Sequence, residues 1–377
     1  MRAWGGDGPV RLDRMWTSTQ TLADLARRLA LLRRILILTH LKPDGDAVGS
    51  TLGMARALEA AGRWAIGRRT HLWYYGPPPP WLAEMCGSTP FTLVNSTRPV
   101  EQAAMEMGGE PDAILVLDTG AWSQLEPVAE YLATRRHLVM CVDHHAQGNE
   151  DLAEARHVDA TAASACQLGA ELAALVLGKA STRELPADVA NAFYLGLGTD
   201  TGWFRHSNVD PRTMRDAAAL LEAGADHVRL CAMTEQNSLG RVRLIGKAIG
   251  TLELHCDGRL AIMHVTRDDL LACEATPGDT GGITDFSQSL PDVRVSAMLV
   301  EALPGDFGRS SDGARLTKIS LRSKAIEPLV DVNAVAGQLG GGGHVRAAGA
   351  RMEADIETTR RRVIELVESQ LRGEATR

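Results

Sequence analysis

The sequence predicts an α/β protein. An N-terminal doubly wound, mostly parallel sheet with helices on both faces precedes a smaller C-terminal α+β domain with a mixed sheet. Short, wholly apolar runs recur in the first 150 residues, and each stops at a segment bearing Asp or His. Helical periodicity fills the stretches between them. After Thr251 the pattern turns to apolar/polar alternation, the mark of half-buried strands.

Residues 21–33 (TLADLARRLALLR) space Leu and Ala at helical intervals, with Thr19 or Thr21 available as cap. Ile35–Leu38 is a fully apolar run ending at Thr39-His40. The polar loop LKPDGD follows, then an Ala/Leu-rich helix over 47–61. Strand, loop and helix make the first unit of a parallel sheet. Ala113–Leu117 stops at Asp118-Thr119-Gly120, and Leu138–Val142 stops at Asp143-His144-His145, with helical spacing over 124–134 between them. Runs without alternation are buried on both faces, as a doubly wound sheet requires. A fourth largely apolar run, NAFYLGLGT, ends at Asp200. Residues 211–250 read as mostly helical; TLELH, RLAIMHV, VRVSAMLVE and LTKISLRS then read as strands. This divides the chain into an extension (1–20), an N-terminal α/β domain (21–225), a helical linker (226–250) and a C-terminal α+β domain (251–377). Residues 304–314 read as a hairpin loop and Pro77–Pro80 as a stiff surface loop.

Composition narrows the function classes. The 377 residues carry 47 acidic against 40 basic side chains, a net charge of −7, which argues against a duplex-DNA or membrane-surface binder. Aromatic content of 4% leaves few stacking platforms for a general single-strand DNA binder. The six Cys form no CxxC pair, so neither a disulfide framework nor a thiolate zinc site is expected, and a reducing cytoplasm fits. No apolar run reaches the roughly 18 residues of a membrane helix, and the N-terminus lacks the apolar core of a secretory signal.

What ends the apolar runs is the chemical signal. His40, Asp44 and Asp46 follow the first, Asp118 the second, Asp143-His144-His145 the third and Asp200 the fourth. Open α/β sheets bind ligands at the carboxyl ends of their strands. So many carboxylates cannot stay ionised together without counter-charge, which protons or divalent metals must supply. Two His and four Asp match two ions sharing one carboxylate, and mixed imidazole and carboxylate donors suit Mn²⁺ better than Ca²⁺ or Mg²⁺. Singly, each piece has a plainer reading. An Asp after a strand is commonly a helix N-cap, and PDGD is a good turn. Independent caps and turns, however, have no reason to supply HxxxDxD, D, DHH and D in this order.

A second constellation is GQLGGGGHVRAAGA, residues 337–350. Glycine-rich segments commonly serve as linkers; here the run leads to His344, and glycine-turn N–H groups can form an anion nest. SLRSK (320–324) ends a strand with Arg322 and Lys324, so glycines, His344 and Arg322 together could hold a phosphate away from the metals. The plainer reading of Arg322 is a solvated surface residue.

These segments resemble the DHH phosphoesterase superfamily. THLKPDGDAVGS is similar to its first motif, VLDTG to its second, VDHH to its third and GLGTDTGWFRHSN to its fourth. SLRSK and GGGGHVRAAGA resemble the DHH-associated C-terminal domain of RecJ-like nucleases and NrnA-type nano-RNases, and the two-domain length favours the latter. The resemblance implies one metal held by His40, Asp44 and Asp118, and another by Asp46, Asp118, His144 and Asp200. It makes 21–225 the metal-binding catalytic domain and 251–377 the substrate-binding domain, with the active site expected in the cleft between domains. It places His145 against the reacting phosphoryl group and Asp143 behind it. Arg322, His344 and Gly340, Gly341, Gly342 and Gly343 would grip the far end of the substrate, with Arg205, His206 and Ser164 as further contacts. Ala165 departs from the hydroxyl residue usual after Ser164, which puts one hydrogen bond in doubt.

The resemblance implies a homodimeric cytoplasmic enzyme using two Mn²⁺, with Mg²⁺ or Co²⁺ as substitutes. Its water nucleophile would be activated between the two ions. Expected substrates are very short oligoribonucleotides, dinucleotides such as pApA, and 3′-phosphoadenosine 5′-phosphate. Alternatives are a manganese-dependent inorganic pyrophosphatase, which shares the N-terminal motifs but not the glycine-His segment, and a non-catalytic nucleotide sensor, which would be expected to have lost ligands.

Overall fold

The computed structural model describes residues 16–62, 69–302, 315–327 and 329–373. The hairpin expected at 304–314 and most of the extension expected at 1–20 lie outside the described residues. The chain divides after Glu235 into two compact units, Met1–Glu235 and Gln236–Arg377.

The first unit is built on a six-stranded sheet of order β3-β2-β1-β4-β5-β6. Its strands are β1 (Arg34–Leu38), β2 (Arg69–Tyr75), β3 (Thr92–Val94), β4 (Ala113–Leu117), β5 (Val139–Asp143) and β6 (Ala155–Val158), and every pairing is parallel. Ile37 lies between Leu72 and Leu115, and Leu117 pairs with Val142. Along β1, Ile35 and Ile37 enter one core while Leu36 and Leu38 enter the other; β4 alternates in the same way. Two buried faces explain the continuous apolar runs, and burying each such side chain contributes roughly 1.5–3 kcal/mol. Strand order reverses between β1 and β4, which opens a crevice at their carboxyl ends.

The helices of this unit are α1 (Leu22–Ala30), α2 (Gly45–Ala61), α3 (Leu82–Cys86), α4 (Val100–Glu106), α5 (Ala129–Ala133), α6 (Ala165–Val176), α7 (Ala187–Asp200), α8 (Pro211–Glu222) and α9 (His227–Thr234). Helices α2, α6 and α7 approach closely because glycines face the contacts. A Cβ on Gly49 would lie 2.4 Å from the Ala192 carbonyl oxygen, and one on Gly196 would lie 2.2 Å from Cys166 Sγ. This packing corrects one expectation: NAFYLGLGT is helical, so Asp200 ends α7 and not a strand. The helix is buried nearly all round, and short buried helices and strands share an uninterrupted apolar pattern. The helix expected over 124–134 is likewise broken, into 3₁₀ turns at Trp122–Gln124 and Glu126–Val128 before α5. Pro127, which lacks an N–H, sits at the start of the second turn.

The second unit has a six-stranded sheet of order β11-β12-β10-β9-β8-β7. Its strands are β7 (Glu253–His255), β8 (Leu260–Val265), β9 (Val295–Glu301), β10 (Thr317–Ser323), β11 (Gly342–His344) and β12 (Ala347–Met352). The β8–β9 pair is parallel and the others antiparallel, so the sheet is mixed. Its helices are α10 (Leu239–Gly250), α11 (Arg267–Ala272), α12 (Thr284–Gln288), α13 (Val332–Gln338) and α14 (Ile356–Leu371). Val335 of α13 and Val363 of α14 pack with Leu299, Ile319 and Leu321 on one face. Leu244 of α10 and Leu270 of α11 pack with Met263 and Met298 on the other. That second covering stops before β10, where Lys318 and Ser320 are half-buried and Arg322 is exposed. The stretch 226–250 contains α9, which belongs to the first unit, and α10, which belongs to the second. Among the described residues no helix is long and apolar enough to cross a membrane.

Candidate metal centre

At the crevice between β1 and β4, three loops and one helix end deliver carboxylates and imidazoles. His40 follows β1, and its Nε2 lies 3.4 Å from Asp118 Oδ2 and 3.7 Å from Asp44 Oδ1. His144 follows β5, and its Nε2 lies 3.4 Å from Asp118 Oδ1, 3.7 Å from Asp46 Oδ2 and 3.9 Å from Asp200 Oδ2. Asp118 therefore turns one oxygen to each histidine. Three sets have ligand atoms within 4.8 Å of one another: His40, Asp44 and Asp118; Asp46, His144 and Asp200; and Asp118, His144 and His145. All six side chains expected to bind metal thus meet at one place, and His145 also lies within ligand reach.

Local structure aims each group. His40 Nδ1 meets the Leu41 carbonyl at 3.0 Å and His144 Nδ1 meets the Ala162 carbonyl at 3.3 Å, which leaves both Nε2 atoms toward the carboxylates. Asp44 caps α2, its Oδ1 accepting from the Asp46 and Ala47 N–H groups at 3.0 and 3.1 Å. The oxygen that caps the helix is also the one that faces His40, so cap and candidate ligand coincide in one atom. Asp46 is buried, and its two oxygens accept from Ala165 N (2.6 Å) and Cys166 N (2.9 Å) at the start of α6, where the helix dipole favours negative charge. Asp118 has φ +64°, a left-handed conformation that costs a non-glycine residue of order 1–3 kcal/mol and gathers at functional sites.

The electrostatics describe a site short of positive charge. Burial opposes a charge on His40, but Asp118 and Asp44 outweigh it and lift the pKa to about 11. The same opposition, with Asp118 and Asp46 as partners, brings His144 to about 10. Burial works to raise Asp118, yet the His144 and His40 imidazoles hold it below the ordinary range. Burial, then the Asp118 charge, pushes Asp46 up, and burial takes Asp200 to about 6 despite the nearby His144. Asp118 Oδ1 is buried with no hydrogen-bond partner. An orphaned carboxylate oxygen among imidazole and carboxylate donors fits divalent metal ions of the transition series.

His145 lies at the rim of this cluster, its Nδ1 4.0 Å from Asp118 Oδ1. Its Nδ1 bonds Asp143 Oδ1 at 2.7 Å, and its side chain is 53% exposed. Asp143 is fully buried, and its other oxygen accepts from the Trp16 indole N–H at 3.0 Å. Trp16 was hidden from sequence reasoning; a lone aromatic in a polar stretch was the available signal. Arg205 and His206 are exposed just past the turn that ends α7, where Trp203 and Phe204 adopt φ +55° and +66°. Ser164, expected to contact substrate, is fully buried and caps α6 through the Gln167 N–H; this corrects its role, since a hydroxyl without accessible surface cannot meet substrate here.

In the second unit, Arg322, Ala347 and His344 stand in register across β10, β12 and β11, which places Arg322 and His344 on one face, both exposed. The glycine run is not an anion nest. The N–H groups of Gly340 and Gly341 close the end of α13 on Gly337 and Ala336, and that of Gly343 bonds Asn333 Oδ1 at 2.8 Å. Gly342 begins β11. Small size is required here for another reason: a Cβ on Gly341 would lie 2.1 Å from the Gly349 carbonyl oxygen.

The DHH family, N-terminal domain, matches residues 34–197, which carry every expected metal ligand except Asp200. That family match, with the relatives that follow, defines the class of protein, a phosphoesterase. The bifunctional oligoribonuclease and PAP phosphatase NrnA of Thermus thermophilus is 30% identical over 366 residues, covering 97% of this chain and 98% of its own. The protein of the same description from Bacillus subtilis is 24% identical, covering 89% and 97%. The chain belongs to the DHH family, within its NrnA-type branch. An exopolyphosphatase-related protein from Bacteroides fragilis shares the fold, with a TM-score of 0.78 at 23% identity over 94% of this chain and 97% of that one.

Proposed function

We propose that the protein is a Mn²⁺-dependent phosphoesterase that cuts very short oligoribonucleotides to mononucleotides and removes the 3′-phosphate of 3′-phosphoadenosine 5′-phosphate, leaving AMP. The observation that carries this reading is Asp118, buried and in a left-handed backbone, turning one oxygen to His40 and the other, which makes no hydrogen bond, to His144. The relatives' activities supply the substrate class. His40, Asp44 and Asp118 would hold one ion, and Asp46, Asp118, His144 and Asp200 the other. When bound, such ions acidify water and neutralise charge on phosphoryl oxygens.

The remaining work falls to side chains. The Asp143 bond raises the His145 pKa and favours an imidazolium, which from its half-exposed position can stabilise negative charge on the reacting phosphoryl group. Arg322 and His344 are proposed to bind the non-reacting end of the substrate, Arg322 as a charge-assisted donor to phosphate. Arg205 and His206 are proposed as contacts to phosphate or base.

One product assay tests the reading: diribonucleotide, a long RNA, 3′-phosphoadenosine 5′-phosphate and pyrophosphate are offered at a single Mn²⁺ concentration. Diribonucleotide and the bisphosphate should be consumed much faster than the other two. Preferential turnover of pyrophosphate would replace the proposal with a pyrophosphatase, and no turnover of any would remove it. Arg322→Ala should raise KM for diribonucleotide roughly ten-fold, the worth of one hydrogen bond to a charged group. A small model phosphodiester should show little change; an equal rise in KM for both would take Arg322 out of this role.

A further inference from the structure

The Trp16 indole is wedged between the loops that carry the reacting groups. A Cβ on Gly120, two residues past Asp118, would lie 2.5 Å from its ring, as would one on Gly148, three residues past His145. The Arg156 guanidinium covers the ring at 4.9 Å and bonds the Thr17 carbonyl, while the Thr19 and Gln20 N–H groups both donate to the Arg156 carbonyl. Residues 16–20 are thus tied to β6, and Trp16 is 3% exposed. Its single polar atom, Nε1, donates to Asp143 Oδ2 at 3.0 Å, while Asp143 Oδ1 meets His145 Nδ1 at 2.7 Å and accepts from the His145 N–H at 3.2 Å.

We propose that Trp16 is a positioning residue for the reaction: its N–H pins the buried Asp143 carboxylate, which in turn fixes the His145 ring with Nε2 toward substrate. An indole suits the place for two reasons. It fills the slot between two glycine loops, and it supplies one donor to an oxygen that burial would otherwise leave unsatisfied. Without that donor the carboxylate is released to rotate about its own axis, and the ring bonded to its other oxygen loses its fixed direction. The role rests on the function proposed for His145 above.

The test is Trp16→Phe, which keeps an aromatic ring and removes the donor. We expect kcat for diribonucleotide to fall roughly ten-fold, the usual cost of losing a group that orients a reacting residue, with KM and the half-saturating Mn²⁺ concentration unchanged. In a His145→Ala background the same substitution should add nothing, because its effect passes through that ring. A structural role alone would lower stability and reduce activity equally in both backgrounds. Should Trp16→Phe fold poorly, the ¹H–¹⁵N indole signal of Trp16 in the native chain replaces it: slow exchange with solvent and a shift on Asp143→Asn are expected. Wild-type kcat in Trp16→Phe, additivity with His145→Ala, or an indole signal indifferent to Asp143→Asn would each overturn the proposal. If the wild-type chain hydrolyses no dinucleotide, the functional reading fails instead, while the indole signal still decides the Trp16–Asp143 contact.

Discussion

Asp118→Asn should cost the enzyme roughly three orders of magnitude in diribonucleotide turnover, since it strips charge from the carboxylate expected to serve both ions. Its two oxygens lie 3.4 Å from His40 Nε2 and 3.4 Å from His144 Nε2, and no other carboxylate reaches both histidines within 4.0 Å among the described residues. Asn is nearly isosteric and tolerates the left-handed conformation observed at this position, so backbone and packing should survive. What disappears is one anionic oxygen. Calorimetric titration with Mn²⁺ should accordingly show fewer than the two ions expected for the native chain. A variant that keeps wild-type kcat and binds two ions would refute the shared-carboxylate assignment.

Mn²⁺ binding should expel protons, and its apparent affinity should climb with pH by up to roughly a hundred-fold per unit, the slope for two protons displaced. In the metal-free protein His40 and His144 hold protons up to about pH 11 and about pH 10, because Asp118, Asp44 and Asp46 outweigh the burial that disfavours their charge. Metal ligation needs their Nε2 atoms unprotonated. Both pKa values stand above the ordinary 6.5, so the stability these charges lend the metal-free fold is complete below about pH 6.5 and is lost as pH rises through the folded values. Burial disfavours a charge on Asp200, so its ionisation costs the metal-free fold stability as pH rises from its ordinary 3.8 through about 6. Metal reverses the trend, because it replaces protons as the counter-charge. Melting temperature against pH, with and without Mn²⁺, should therefore give curves of opposite slope above pH 7. Calorimetry in buffers of different ionisation enthalpy counts the protons directly. Affinity independent of pH with no proton release would disprove this picture.

Much of the site was legible because parallel sheets bury both faces of their strands. Ile35–Leu38 and Ala113–Leu117 carry no alternation, and the residue that breaks each run marks the strand's carboxyl end, where His40 and Asp118 sit. The polar loop LKPDGD announced itself similarly, and its Asp44 proved to be both cap and ligand candidate. Asp200 was read as a strand end but closes α7 beside His144, since an Ala/Gly-rich helix packed on all sides has the same apolar texture as a buried strand. Strands β2, β3 and β6 went unnoticed. Two of them lie at the sheet's edges, where partial exposure weakens the apolar signal. The glycines of 340–343 were misread because glycine content is silent on whether N–H groups face a ligand or a neighbouring strand.

The amino-acid sequence by itself determined the doubly wound α/β plan with helices on both faces, the mixed second sheet and which acids and histidines end the strands, because periodicity and chain breaks are local and follow from burial. Only the tertiary structure decided that α7 brings Asp200 alongside His144, that α6 presents its N–H groups to Asp46, and that Trp16 reaches Asp143 across 127 residues of chain. Those three arrangements depend on close approach of distant segments, set by packing around Gly49, Gly196, Gly120 and Gly148, where any side chain would hold the partners apart.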